Sequence, residues 1–338
     1  MKFAHVTLCA SVALLTACGG GGSSTPAPSP APTATATPTP SPSPSPPSTP
    51  NAKMPGGQAC RPACVNIENG GTGFTDGVDR RASASDETLF FTQATQTWAF
   101  DLTTPGQDRK EFGPADQLAT SPPGRIAYER ANLGGGTDAF TVALRDFRGL
   151  TLDYVRGTDF VGNRSTGPFL GLACVFGVPT VVEDQAPTSV VTYSQIAVSG
   201  VALRVDGTTG LVTGTFDLSD STATFEVDPD ANSQIETIIN VRGREILANG
   251  DLSTTILDFA TNGSGQAAIT TEFGTDNVER GAYSGTFQFN GVMPPAQQFT
   301  GWFYGPQGVE AGYGFAFKAD DPNSSDEFVI AGQVFAKR

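Results

Sequence analysis

The chain reads as an all-β protein, and three observations lead there. No long stretch places apolar residues at i, i+3, i+4 and i+7, so helices are scarce. Short alternating segments recur instead, bounded by Gly, Asp, Asn and Pro. From about residue 190 these segments follow one another regularly, in roughly eight or nine strand-like runs, as expected for a closed barrel or a sandwich of antiparallel strands.

The N-terminus comes first in order. Lys2 gives a positive start, and Phe3 to Leu15 form an apolar stretch that suits a secretory leader and is too short to span a bilayer. It ends in Leu15-Thr16-Ala17-Cys18, followed by Gly19. This resembles the bacterial lipobox. The resemblance implies a signal peptide over residues 1–17, cleavage before Cys18, and lipidation of that thiol and the new amino group. In that family a non-acidic residue after the Cys, here Gly19, goes with export to the outer membrane. Several acyl chains would anchor stably where one would not.

Residues 18–57 are expected to be the lipidated Cys and its linker. "GGGGSS" is a flexible swivel, and "TPAPSPAPTATATPTPSPSPSPPSTP" alternates Pro with small residues and cannot build a core. At roughly 3.1 Å per residue in polyproline form, such a tether reaches on the order of 90 Å.

Composition excludes several functions. The one histidine, His5, leaves with the leader, so His-based triads, imidazole metal sites and His-ligated haem are ruled out. The leader carries Lys2 and no acidic residue, so its removal takes the net charge from −14 to −15. So acidic a chain is a poor nucleic-acid binder and suits a basic partner or a cationic ligand.

The remaining cysteines fit an oxidising compartment. In "CRPAC", Cys60 and Cys64 are placed to close a small local disulfide; alternatively one of them pairs with Cys174 and the third thiol stays free. Cys174 lies in the apolar run "GLACVFGV" and reads as a core residue.

In "TDAFTVALRDFRGLTLDYVRG", Phe140, Val142 and Leu144 should share one strand face. "DFRG" should turn, and Leu150, Leu152 and Tyr154 should line the same face of the next strand. In the later series, Ala223, Phe225 and Val227 alternate with Thr224 and Glu226. The presumed outer face, for example Ala282, Ser284, Thr286 and Gln288, is too polar for a lipid-facing wall.

Candidate chemistry is thin. Gly263, Gly265 and Ala268 match GxGxxG/A, but "ITTEF" follows where a helix is required, so a strand is expected. Asp228, Asp230 and Asn232 begin like a calcium loop, yet Ser233 and Ile239 stand where Gly and Glu are needed, which leaves an acidic hairpin tip. Asp320, Asp321, Asp326 and Glu327 read as a solvated loop. No GxSxG elbow occurs. No catalytic residues, metal ligands or cofactor are assigned.

One C-terminal pattern carries more. "GTFQFNG", "FTGWFYGPQGVEAGYGFAF" and "FVIAGQVFAKR" resemble the last strands of the β-barrel domain in transferrin-binding-protein-like surface lipoproteins. The matching residues are Phe303, Tyr304, Gly305, Pro306, Glu310, Gly312, Gly314 and Phe315, then Ala336, Lys337 and Arg338. Tyr313 between the two glycines and Gln333-Val334 in the last strand depart from the family's pattern. The likeness covers residues 190–338 and is sharpest at the end.

The resemblance implies an eight-stranded antiparallel barrel over residues 189–338, preceded by a β-rich handle-like domain over 58–188. It implies a non-catalytic binding protein, held in the outer membrane by its lipid and facing the cell surface, with a periplasm-facing placement as the other orientation. Its partner would be an extracellular protein or small ligand, with iron or haem acquisition the service suggested; the matched residues identify no partner. The alternative is a structural envelope lipoprotein, which a filled barrel with polar, flat loops would favour. Phe303, Phe315 and Phe317 are expected in the core, Gly312 and Gly314 where the wall is crowded, and Glu310 at the turn.

Overall fold

The computed structural model describes residues 63–68, 80–81, 88–92, 94–101, 109–131, 135–163, 170–180, 187–269, 281–289, 298–321 and 324–338. The leader, Cys18, the tether and Cys60 lie outside the described residues. The first strands are β1 (Ala63–Glu68), β2 (Arg80–Arg81), β3 (Thr88–Thr92), β4 (Thr97–Asp101), β5 (Lys110–Phe112), β6 (Arg125–Ala131), β7 (Thr137–Ala143), β8 (Asp146–Phe147), β9 (Leu150–Thr151), β10 (Val155–Asn163) and β11 (Leu170–Gly177). After them come β12 (Val191–Thr192), β13 (Gln195–Val205), β14 (Val212–Asp217), β15 (Thr222–Val227), β16 (Ile235–Glu245), β17 (Leu257–Ile269), β18 (Ala282–Gln288), β19 (Gln298–Tyr304), β20 (Glu310–Asp320) and β21 (Glu327–Lys337).

The second series closes on itself. β12 and β13 run along β15 and β14 in one line, with Val191 opposite Val227 and Val201 opposite Asp217. β14 and β15 in turn follow β16, with Phe216 opposite Glu245 and Thr222 opposite Asn240. Each of these pairs is therefore one interrupted stave. β16 through β21 pair in order, and β21 returns to β13 with Gly332 opposite Gly200. The result is an antiparallel ring of eight staves, which leaves none of them as an open edge.

Strand alternation decides what fills the ring. Phe225, Tyr283, Phe287, Phe299, Phe303, Tyr313, Phe315 and Phe317 all point inward and are buried. Their rings pack at centroid distances such as 4.9 Å for Phe287 and Phe299 and 5.3 Å for Phe299 and Tyr313, within the spacing favoured by aromatic pairs. Two phenols inside the ring are hydrogen-bonded: Tyr283 donates to the Gly312 carbonyl at 3.0 Å, and Tyr313 shares a hydrogen bond with Thr237 at 2.8 Å. Gly263 and Gly265 belong to strand β17, where a Cβ at Gly265 would lie 2.7 Å from the Phe287 ring. The dinucleotide-like pattern is thus part of the wall. Asp228, Asp230 and Asn232 form the β15–β16 hairpin tip, closed by the Asp228 N–H on the Gln234 carbonyl at 2.8 Å.

A six-stranded antiparallel sheet, in the order β2-β1-β11-β10-β7-β6, lies against the outside of this wall. Its near face brings Val65, Ala173 and Val175 onto Ala316, Ala331 and Phe335. Its far face, with Phe140, Phe160 and Phe176, is covered by β3-β4-β5 through Trp98 and Phe112. Cys64 and Cys174 sit on that far face, directly opposite each other on β1 and β11 with Cα atoms 4.1 Å apart, and they form a disulfide. Of the two pairings the sequence leaves open, the one with Cys174 is formed and Cys60–Cys64 is not, because the sheet register sets Cys64 directly opposite Cys174.

Two further expectations change. Phe140 and Val142 are buried under the outer layer, whereas Leu150 and Leu152 pack on the barrel side and Leu144 is exposed. The reason is that β7 ends at Ala143. The tight hairpin that follows, with Arg148 and Gly149 both at positive φ, reorients the chain before Leu150. Asp321 is not solvated: it is buried, 3.4 Å from the Arg204 guanidinium.

Candidate functional site

The residues of the C-terminal pattern meet at the junction of sheet and barrel. Glu310, the first residue of β20, is fully buried. Its Oε1 accepts the backbone N–H of Asp153 at 2.7 Å, and its Oε2 accepts those of Tyr154 at 2.7 Å and Val155 at 3.0 Å. Lys337 Nζ lies 3.5 Å from Oε1. Three donors and a nearby cation are what a carboxylate removed from water requires.

Beside it the Gly305 N–H bonds the Val178 carbonyl at 2.9 Å, and Thr180 donates its hydroxyl to the Gly305 carbonyl at 2.7 Å. Gly305 has φ +71°, and a Cβ there would lie 2.5 Å from the Tyr154 ring. Tyr304 packs on the sheet side, and Pro306 is exposed at the start of a single 3₁₀ turn, Pro306–Gly308. Phe303 and Phe315 point into the barrel, while Gly312 and Gly314 face outward. A Cβ on Gly314 would come within 2.9 Å of the Ala173 carbonyl oxygen. The crowding these glycines relieve is therefore that of the sheet against the wall. The pattern is a clasp between two layers.

Farther along the same junction the layers part. A cleft of about 600 Å³ opens between β6, β10 and β11 on one side and β13 and β21 on the other. Ala173, Val201, Leu203 and Ala331 supply apolar walls, and Ile246 and Leu252 stand at its barrel rim. Arg125 forms the floor and is only 8% exposed. It donates to Thr141 at 2.8 Å, to Ser199 at 2.6 Å and to the Asp159 carboxylate. Gln333, one of the departures from the family pattern, is fully buried and donates to Asp159 Oδ1 at 2.6 Å and to the Thr158 carbonyl at 2.7 Å.

Arg148 enters from the hairpin turn, with its guanidinium over the Phe147 ring at 5.5 Å and 3.5 Å from Asp217. Burial pushes it below its ordinary value; Asp217 opposes that, and Arg125 adds to it.

Other apolar residues of the barrel loops are exposed. Leu211 is 66% exposed, and Val212, Leu247 and Ile256 are also exposed. Sequence reasoning missed the cleft because its parts are far apart: Arg125 reaches Ser199 across 74 positions. The buried Gln333 where Gly was expected was the one available signal.

No family model matches this chain, and no curated protein matches it. Several solved structures are similar. A transferrin binding protein B single mutant from Haemophilus parasuis Hp5 is 13% identical over 82% of this chain and 45% of that one, with a TM-score of 0.38. The isotype 1 transferrin binding protein B of serogroup B Neisseria meningitidis is 15% identical over 82% and 43%, with a TM-score of 0.35. A Nostoc punctiforme protein of unknown function is 11% identical over 86% and 97%, with a TM-score of 0.22. This chain spans less than half the length of the two transferrin binding proteins. These likenesses carry no residue roles.

Proposed function

We propose that this chain is a non-catalytic lipoprotein, anchored in the outer membrane through Cys18 and displayed at the cell surface on its Pro-rich tether. Its folded part is a binding module for an extracellular protein or a small ligand. The observation that carries this reading is the cleft: two layers are clasped at Glu310 yet leave an apolar, arginine-floored recess with an exposed apolar rim. Concave apolar sites with a few converging polar groups are where ligands bind. The handle-like 58–188 and barrel 189–338 division belongs to the same proposal, as does service in iron or haem acquisition.

A structural envelope role is the second reading, and the filled barrel favours it. The loops speak for the first, because Leu211, Leu247 and Leu252 make them apolar. Protease shaving of intact cells, combined with pull-down from growth medium under iron limitation, separates the two. Cleavage at the surface and a specific retrieved ligand are expected. A protein shielded from protease that retrieves nothing would sink the surface-capture reading. Cys18→Ala tests the anchor, which fails as a claim if the variant still partitions with membranes.

A further inference from the structure

We propose that the cleft between β6–β10–β11 and β13–β21 holds an amphiphile with a flexible aliphatic body and one anionic oxygen head group, of the long-chain carboxylate class, with its head at Arg148. This rests on the reading of the folded part as a binding module and names the ligand class for that site.

The walls set the body. Ala173, Val201, Leu203, Ala331, Ile246 and Leu252 are aliphatic or small, and Phe160, the one aromatic residue of the lining, turns its ring into the core on the far face of the sheet. Planar aromatic ligands are gripped by stacking, which this lining hardly offers. Haem is a poor occupant on a second ground: no Tyr, Cys, Met or His lines the cleft to ligate its iron. A recess of about 600 Å³ suits a single chain of drug-like size.

The polar groups set the head. Arg125 is committed to Thr141, Asp159 and Ser199. The three carboxylates of the lining each hold a donor: Asp159 accepts from Gln333, Asp217 from the Ser219 N–H at 2.8 Å, and Asp146 from Thr151 at 2.7 Å. Arg148 differs. A guanidinium carries five N–H donors, and its one hydrogen-bonded neighbour among the described residues is Asp217, at 3.5 Å. A carboxylate head would use those donors in the forked geometry arginine favours.

The test uses the mature chain with Cys18→Ala, which carries no acyl groups of its own. Uptake of Nile red, a neutral apolar dye, reports the cleft, and dodecanoate, dodecanol and dodecylamine are compared as competitors. Circular dichroism confirms the fold of each variant. Dodecanoate should displace the dye best, by roughly tenfold over the alcohol, the size of one charge-assisted hydrogen bond. Val201→Asp and Leu252→Asp, both at exposed positions, should abolish uptake. Arg148→Gln should make acid and alcohol equal as competitors for the dye. If the alcohol or the amine competes as well as the acid, the ligand class is overturned while the cleft stands. If the dye is not taken up, or is taken up unchanged by both Asp variants, the cleft is not a binding site and both readings fall.

Discussion

Glu310 Oε2 accepts the backbone N–H of Tyr154 at 2.7 Å, tying the first residue of a barrel strand to a segment 156 positions earlier. The same carboxylate also holds the N–H groups of Asp153 and Val155. Replacing it with Ala would leave three donors unsatisfied at the junction, so Glu310→Ala should lose about 3 kcal/mol or more, whereas Glu310→Gln, which keeps an acceptor, should lose about half that. Denaturant titration of both variants checks the order. Equal, small losses would mean the clasp contributes little.

The outward glycines make a second prediction. A branched side chain at Gly314 must displace the Ala173 carbonyl, 2.9 Å from where its Cβ would stand. Gly314→Val should therefore part sheet from wall and destabilise by about 1–3 kcal/mol. It should also raise proteolysis at the junction. A variant as stable as the parent would show that the layers are not pressed together there.

The barrel was the most legible part of the sequence, and the reason is local. Along β20, inward Tyr313, Phe315 and Phe317 alternate with outward Gly312, Gly314 and Ala316, a period that strand geometry alone dictates. Tyr283 and Phe287 likewise point inward opposite the polar face of β18. The earlier strands were harder to read because both faces of their sheet are covered: Cys64 packs under Trp98 while its neighbours Ala63 and Val65 pack on the barrel. With no polar face, alternation is lost. Glu310 was recognised without its partners, because hydrogen bonds to backbone N–H groups leave no mark on residue types. The cleft was invisible for a related reason, since Arg125, Ser199 and Gln333 meet only after two sheets dock.

The Cys64–Cys174 bond closes a loop with a sequence separation of 110. Cross-links over such loops stabilise by roughly 4–5 kcal/mol in the chain-entropy treatment. Cys64→Ala with Cys174→Ala should lower the denaturation midpoint accordingly. Thiol labelling of the mature Cys18→Ala chain, under denaturing but non-reducing conditions, should modify Cys60 alone. Labelling of Cys174 would contradict the pairing.

Alkaline pH should unfold the barrel. Burial raises Tyr193 to about 12, and burial also raises Tyr283 and Tyr313. The unfolded chain loses these protons near pH 10 while the folded chain retains them. Stability is thus whole below pH 10 and falls as pH rises toward 12 and beyond. Phenolate absorbance and circular dichroism followed together should change in one transition above pH 10. Phenolate signal from most of the six tyrosines near pH 10, with the fold intact, would contradict the buried placements.

The most direct test of the account is to map where an alkyl carboxylate binds. Amide chemical shifts of the mature Cys18→Ala chain, recorded as dodecanoate is added, should move at Gly124, Arg148, Gly171, Gly200 and Ser219, which line the cleft. They should stay still at Ile239 and Phe299 inside the barrel. Shifts confined to the barrel interior, or none at saturating ligand, would contradict the claim that this protein binds between its layers.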